Sequence, residues 1–173
     1  MAQIVDTNTG SHDAVKRAAW QVAAAVPDPE IPVVTVEDLG ILRDVEVDGE
    51  GHVVATVTPT YSGCPATQLI QQMVLEALQR AGFEDARVDT VLSPAWSTQW
   101  ISEEGREKLR AYGIAPPEQA SNSKRALFGE TAVGCPRCGS ADTERVSEFG
   151  STPCKALYRC RSCREPFDYF KCL

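Results

Sequence analysis

Residues 53–78, VVATVTPTYSGCPATQLIQQMVLEAL, change their apolar period part-way along, and that change sets the fold class. Val53 to Thr58 is β-branched and reads as a strand. Pro59 stops it, and Thr60 to Pro65 is a short turn. Beyond the turn Ala66, Leu69, Ile70, Met73, Val74, Ala77 and Leu78 recur at helical spacing, one apolar face of an amphipathic helix. Gly82 follows at the position where a left-handed cap is wanted. Upstream, Ile41 to Val47 reads as a strand joined to Val53–Thr58 through Asp48-Gly49-Glu50-Gly51, a hairpin signal. Downstream, Arg87 to Leu92 alternates as a third strand, and Ser102 to Tyr112 reads as a short charged helix. A first helix is expected from an N-cap at Ser11, with Val15, Ala18, Ala19, Val22 and Val26 at helical spacing and Pro27 and Pro29 ending it. Residues 1–10 are polar and expected to fray. The class is α+β.

The 173 residues, 43% apolar and 24% charged, describe an ordinary globular protein. A net charge of −7 argues against nucleic acid or an anionic membrane as partner, because phosphate neutralisation needs clustered cations. The longest apolar run, Val22 to Pro27, is far too short to span a bilayer. No signal-peptide pattern opens the chain, and a cytoplasmic location is expected. Residues 113–125 have linker composition, two prolines followed by small and polar residues. The expected organisation is a domain over 11–112, a linker over 113–125 and a second domain over 126–173.

Six of the seven cysteines fall in that second domain. Cys135-Pro136-Arg137-Cys138 and Cys160-Arg161-Ser162-Cys163 form two C-x₂-C pairs, a zinc-ribbon pattern slightly longer in its spacer than usual. Two cysteines three apart on a tight turn place both sulfurs on one ion, and two such turns complete a tetrahedral S₄ site. Pro136 and Gly139 suit the first turn. So short a tail cannot bury enough apolar surface alone, so a metal staple is expected. Structural zinc is favoured, although an S₄ tetrahedron also admits iron–sulfur chemistry. Cys154 and Cys172 read either as additional ligands or as buried thiols.

Cys64 stands apart from the others. Pro65 suits a first helical turn, which puts the thiol near the helix N-terminus, where unpaired N–H groups and the dipole favour thiolate and lower its pKa. It reads either as a reactive thiol or as a small filler where strand meets helix. Nothing nearby supplies a histidine base for a hydrolase nucleophile, and no second cysteine lies three residues away for thioredoxin-like chemistry. Asp28 and Glu30 flank Pro29 in a stiff loop, as turn formers or as a pair of oxygen donors. The chain carries no P-loop, G-x-G-x-x-G or G-x-S-x-G, so nucleotide hydrolysis, dinucleotide chemistry and serine hydrolysis have no support.

Asp28-Pro29-Glu30-Ile31, Val36-Glu37-Asp38-Leu39-Gly40-Ile41-Leu42 and Thr58-Pro59-Thr60-Tyr61-Ser62-Gly63-Cys64-Pro65 resemble the metal–sulfur cluster assembly family that includes SufT. The cysteine tail, with residues 149–158 and 165–172, makes the chain similar to the branch of that family found in bacterial phenylacetate degradation. The resemblance implies a small α/β assembly domain followed by a C-terminal zinc ribbon. It implies Cys64 as the reactive, cluster-binding thiol, with the Asp28–Glu30 turn in support and no catalytic residue. It also implies maturation of an iron or iron–sulfur centre in the phenylacetyl-CoA epoxidase system, with the iron–sulfur reductase or the di-iron oxygenase as client. Transient iron or a cluster would then be cargo.

One thiolate cannot hold a cluster, which usually takes four ligands. Holding it therefore calls for a homodimer, an external thiol, or donors such as Glu30 or a tail cysteine. The alternatives are a direct non-catalytic or electron-transfer subunit of the epoxidase complex, a nucleic-acid-binding ribbon module, and a C-x-x-C thiol oxidoreductase. The maturation factor, an accessory protein rather than an enzyme, is the expectation carried forward.

Overall fold

The computed structural model describes residues 7–117 and 133–171. Cys172 and residues 118–132, including the rest of the expected linker, lie outside them. The elements run α1 (Thr7–Ala24), β1 (Leu42–Val47), β2 (Val53–Val57), α2 (Thr67–Arg80), β3 (Arg87–Thr90), a 3₁₀ turn (Thr98–Trp100), α3 (Glu103–Tyr112), β4 (Ile114–Ala115), β5 (Thr143–Ser147), β6 (Lys155–Cys160) and β7 (Pro166–Phe170). The expected α+β class holds. Helix α1 starts a turn ahead of the Ser11 cap, because nothing in residues 7–10 breaks a helix as proline would.

The first sheet has the order β1-β2-β3. Strands β1 and β2 pair antiparallel around the Asp48 turn, where Asp48 Oδ1 accepts the N–H groups of Glu50 and His52, each at 2.9 Å. Strand β3 pairs parallel with β2, so β2-α2-β3 is a crossover unit. Ile70, Val74 and Leu78 are the buried residues of α2. They share one core with Ala19 and Ala23 of α1 and Val45, Ala55 and Val57 of the sheet. Leu69, one of the expected apolar face, is 47% exposed. Gly82 takes φ 97° and caps α2, with the Phe83 N–H donating to Leu78 O at 3.1 Å.

Between α1 and β1 the chain folds back on itself instead of forming a long element. Pro27 bridges Thr35, the Asp28 N–H donates to Val34 O at 2.9 Å, and Ile31, Val34, Val36 and Leu39 are buried. The Asp38-Leu39-Gly40 segment then ties α3 down. Asp38 accepts from the Thr35 N–H at 2.9 Å and from Lys108 Nζ at 2.8 Å, and its backbone oxygen takes the Ser102 N–H at 2.9 Å. Trp96 Nε1 donates to Leu39 O at 2.8 Å. Gly40 has φ 66°, and a Cβ there would sit 2.5 Å from Trp100 Cβ, so only glycine fits.

The second sheet has the order β4-β7-β6-β5. Its edge strand β4 lies within the stretch read as linker and pairs parallel with β7. Ala115, Val133, Cys135, Cys160 and Phe167 make a small core of their own. Cys154 and Phe170 instead join the large core of the first domain, where Phe170 meets Trp96 edge-on with centroids 6.1 Å apart. No described helix is long and apolar enough to cross a membrane.

Candidate functional site

At the junction of the two sheets lies a cavity of about 20 Å³, room for one water or a single ion. Asp28, Glu30, Cys64 and Cys154 all line it, with Ile31 and Phe170 among its apolar neighbours. Three separate stretches of chain therefore converge. The Asp28–Glu30 turn is held by Asp28 itself, whose Oδ1 accepts the N–H groups of Glu30 at 2.9 Å and Ile31 at 2.8 Å. That leaves Asp28 buried, 7% exposed, and Glu30 partly open. Cys154 comes from the chain just before β6. Its Sγ lies 3.0 Å from Thr152 Oγ1 and donates to Glu30 Oε2 at 3.5 Å.

Cys64 sits in a turn just ahead of α2. Its N–H donates to Tyr61 O at 3.1 Å, and its own carbonyl accepts from the Thr67 N–H at 3.2 Å and the Thr67 hydroxyl at 2.9 Å. The expected lowering of its pKa is not found. Burial pushes the Cys64 thiol above its ordinary value, and the charges of Glu30 and Asp28 add to that. The Ala66 N–H and the Thr67 hydroxyl do pull it down, as a helix start should, but they are outweighed. Spacing locates the helix end correctly but carries no sign of two carboxylates brought in by another loop. The same forces act on the neighbours. Burial, with Glu30 adding to it, pushes Cys154 up to about 11. Burial also raises Asp28, more than its two N–H donors lower it, and raises Tyr61 beside both thiols. A soft divalent ion bound here would have to displace the thiol protons, and its positive charge would offset the neighbouring carboxylates.

The four ribbon cysteines form a separate and tighter group. Their sulfurs all lie within 4.8 Å of one another, Cys135 to Cys163 at 3.7 Å and Cys138 to Cys160 at 3.6 Å. A tetrahedron with metal–sulfur bonds of 2.3 Å has edges of ~3.8 Å, so these residues fit a four-coordinate ion. Each C-x₂-C turn ends in a left-handed residue, Gly139 at φ 73° and Arg164 at φ 67°. The Gly139 N–H donates to Cys135 O at 2.9 Å, and the Cys163 N–H points at Cys160 Sγ at 3.4 Å. That N–H is the main reason the Cys160 thiol is held down to about 6. When bound, the ion supplies a covalent staple between two hairpin turns. A closed S₄ set leaves no open position for substrate.

Cys154 therefore does not sit in the S₄ set; it sits with Cys64. Neither its spacing nor its neighbours announce this, since ninety residues separate the two cysteines. The available signal was that these two, and Cys172, stand outside the C-x₂-C pairs. The His52, Asp48 and Glu50 side chains also cluster, in the exposed hairpin turn far along β1 and β2.

Residues 16–91 match the model of an iron–sulfur cluster assembly protein family, and residues 119–171 match that of the PaaD zinc beta ribbon domain. The chain is 53% identical to a putative 1,2-phenylacetyl-CoA epoxidase subunit of Escherichia coli, over 89% of this chain and 91% of the relative. It is 35% identical to an Fe-S protein maturation auxiliary factor of Porphyromonas gingivalis, over 49% of this chain and 80% of that one. Among solved structures, a DUF59 domain of unknown function from Bacillus anthracis superposes with TM-score 0.54 at 31% identity. It covers 59% of this chain and 97% of its own.

Proposed function

The chain belongs to the PaaD family of phenylacetyl-CoA epoxidase components, and from that membership we propose that it matures an iron or iron–sulfur centre of the epoxidase system. The observation that carries the reading is the cavity that places Cys64 beside Asp28 and Glu30. Soft and hard donors converge there on a space fit for one ion, and the turn bearing the carboxylates is stiffened by Pro29. Two raised thiols are poorly ionised when empty, so they would take up metal with proton release and give it back readily. The chain's role is to hold and hand over; the ribbon, with zinc as its structural metal, shapes the face that meets the client. That client is the iron–sulfur reductase or the di-iron oxygenase, and the setting is cytoplasmic.

The test is restoration of the client in a strain lacking this protein. Wild-type protein should restore the iron and sulfide content of the reductase, or the iron content of the oxygenase, and Cys64→Ser should not. Full restoration by Cys64→Ser would end the reading. A stoichiometric complex with the assembled epoxidase, with the client's metal content normal in its absence, would favour a non-catalytic subunit instead.

A further inference from the structure

Cys154 is the one described cysteine that neither the S₄ set nor the first domain's sequence accounts for. It is 5% exposed, it belongs to the ribbon sequence, it stands outside the group of four ribbon sulfurs, and its thiol donates to Glu30. Glu30, Cys64 and Cys154 line one small cavity, so a carboxylate and two sulfurs from separate stretches of chain share a space fit for one ion. From this we infer that Cys64 and Cys154, with Glu30, form a metal site across the domain junction that takes one divalent ion of the Fe²⁺, Co²⁺ or Zn²⁺ class.

The proposal rests on the maturation reading for Cys64 as the cargo thiol and adds the ribbon as owner of the second sulfur. Binding replaces two S–H bonds with two metal–sulfur bonds. Each thiol gives up one proton to the buffer, and no electron moves. Glu30 offers an oxygen, and the buried Asp28 carboxylate lines the same cavity. Among the described residues, no three of these donors lie all within 4.8 Å of one another, as the ribbon's four do. Side-chain rotation must therefore close them on an ion. The incomplete set leaves a position for sulfide or for a ligand from the client, as a holder that must release its cargo requires.

The experiment uses the full chain, anaerobic, with one equivalent of zinc already added to fill the ribbon, titrated with Co²⁺. Wild type should bind one further ion with a thiolate-to-cobalt absorption and release two protons. Cys64→Ser and Cys154→Ser should each weaken binding about tenfold or more, roughly halve that absorption, and release one proton fewer. Unchanged binding and proton count in Cys154→Ser and Cys154→Ala, with loss in Cys64→Ser, would overturn the proposal and leave the maturation reading intact. Absence of any thiolate-to-cobalt band in wild type would overturn it too. Should both Cys154 variants misfold, the wild-type proton count decides: two supports the junction site and one refutes it. Client restoration by Cys64→Ser is the separate result that would remove the maturation reading.

Discussion

In the ribbon, four sulfurs face one another across 3.6–3.7 Å contacts, and a backbone N–H steadies one of them as thiolate. At the junction, two sulfurs arrive from separate stretches of chain, and burial, with Glu30 adding to it, raises both thiols. The first arrangement is nearly complete before a metal comes. The second is made complete only by metal. Preorganised thiolate gives tight, permanent binding, whereas a site that must expel protons and rotate its donors binds more weakly and lets go. The same residue type thus serves as staple in one place and as grip in the other, and burial and the groups around each sulfur decide which.

Removing the staple should have the largest effect. Stripping metal with a chelator, or Cys160→Ser, should unfold residues 133–171, since structural S₄ zinc binding is worth on the order of 10 kcal/mol. Because Phe170 packs on Trp96, the loss should also appear as a red shift in tryptophan emission. A ribbon that stayed protease-resistant without metal would erase the contrast between the two sites. Phe170→Ala should cost about 3–5 kcal/mol in urea unfolding, because its ring is buried in the first domain's core. Ribbon metal content should be unchanged. Metal loss would mean that the two sites are not mechanically separate.

The acidic loop offers a finer test. Burial would raise Asp38, but Lys108 and the Thr35 N–H outweigh it and hold the carboxyl below its ordinary value. Asp38 therefore stabilises the fold fully above its unfolded value of ~3.9, and the contribution is lost as pH falls through the lower folded value. Asp38→Asn should cost about 1–3 kcal/mol at pH 7 and flatten that acid limb. Smaller still is the thiol shift. Alkylation of Cys64 against pH should show a midpoint above the ordinary ~8.5, and a lower one would restore the helix-start effect as the dominant one. Arg164→Gly should tighten the ribbon by at most about 1 kcal/mol, by relieving a left-handed side-chain residue. The readout is competition with a chelator, and no change would mean the turn is not strained.

Much of this was readable from local pattern. The strand–turn–helix at 53–78, the hairpin at Asp48 and the paired C-x₂-C turns depend on neighbours in sequence, and the structure has them where the periods put them. The Asp28 turn was visible because proline and Asx chemistry are local. What escaped depends on distant chain: the burial that, with Glu30 and Asp28 adding to it, reverses the Cys64 shift, the arrival of Cys154, and the Trp96–Phe170 contact. The brief strand β4 escaped for a simpler reason. Two residues followed by two prolines carry no period to detect.

That strand matters for anyone who would divide the protein. Ile114 and Ala115 lie beside Asp168 and Tyr169, so the main-chain edge of β7 is covered by residues that precede the ribbon in sequence. A fragment starting at residue 126 would leave that edge bare, ready to pair with another molecule. A fragment ending at 125 would carry a stray strand with nothing beside it. A cut that respects the sheets falls between Tyr112 and Ile114, at Gly113, whose left-handed turn ends α3 and launches the ribbon.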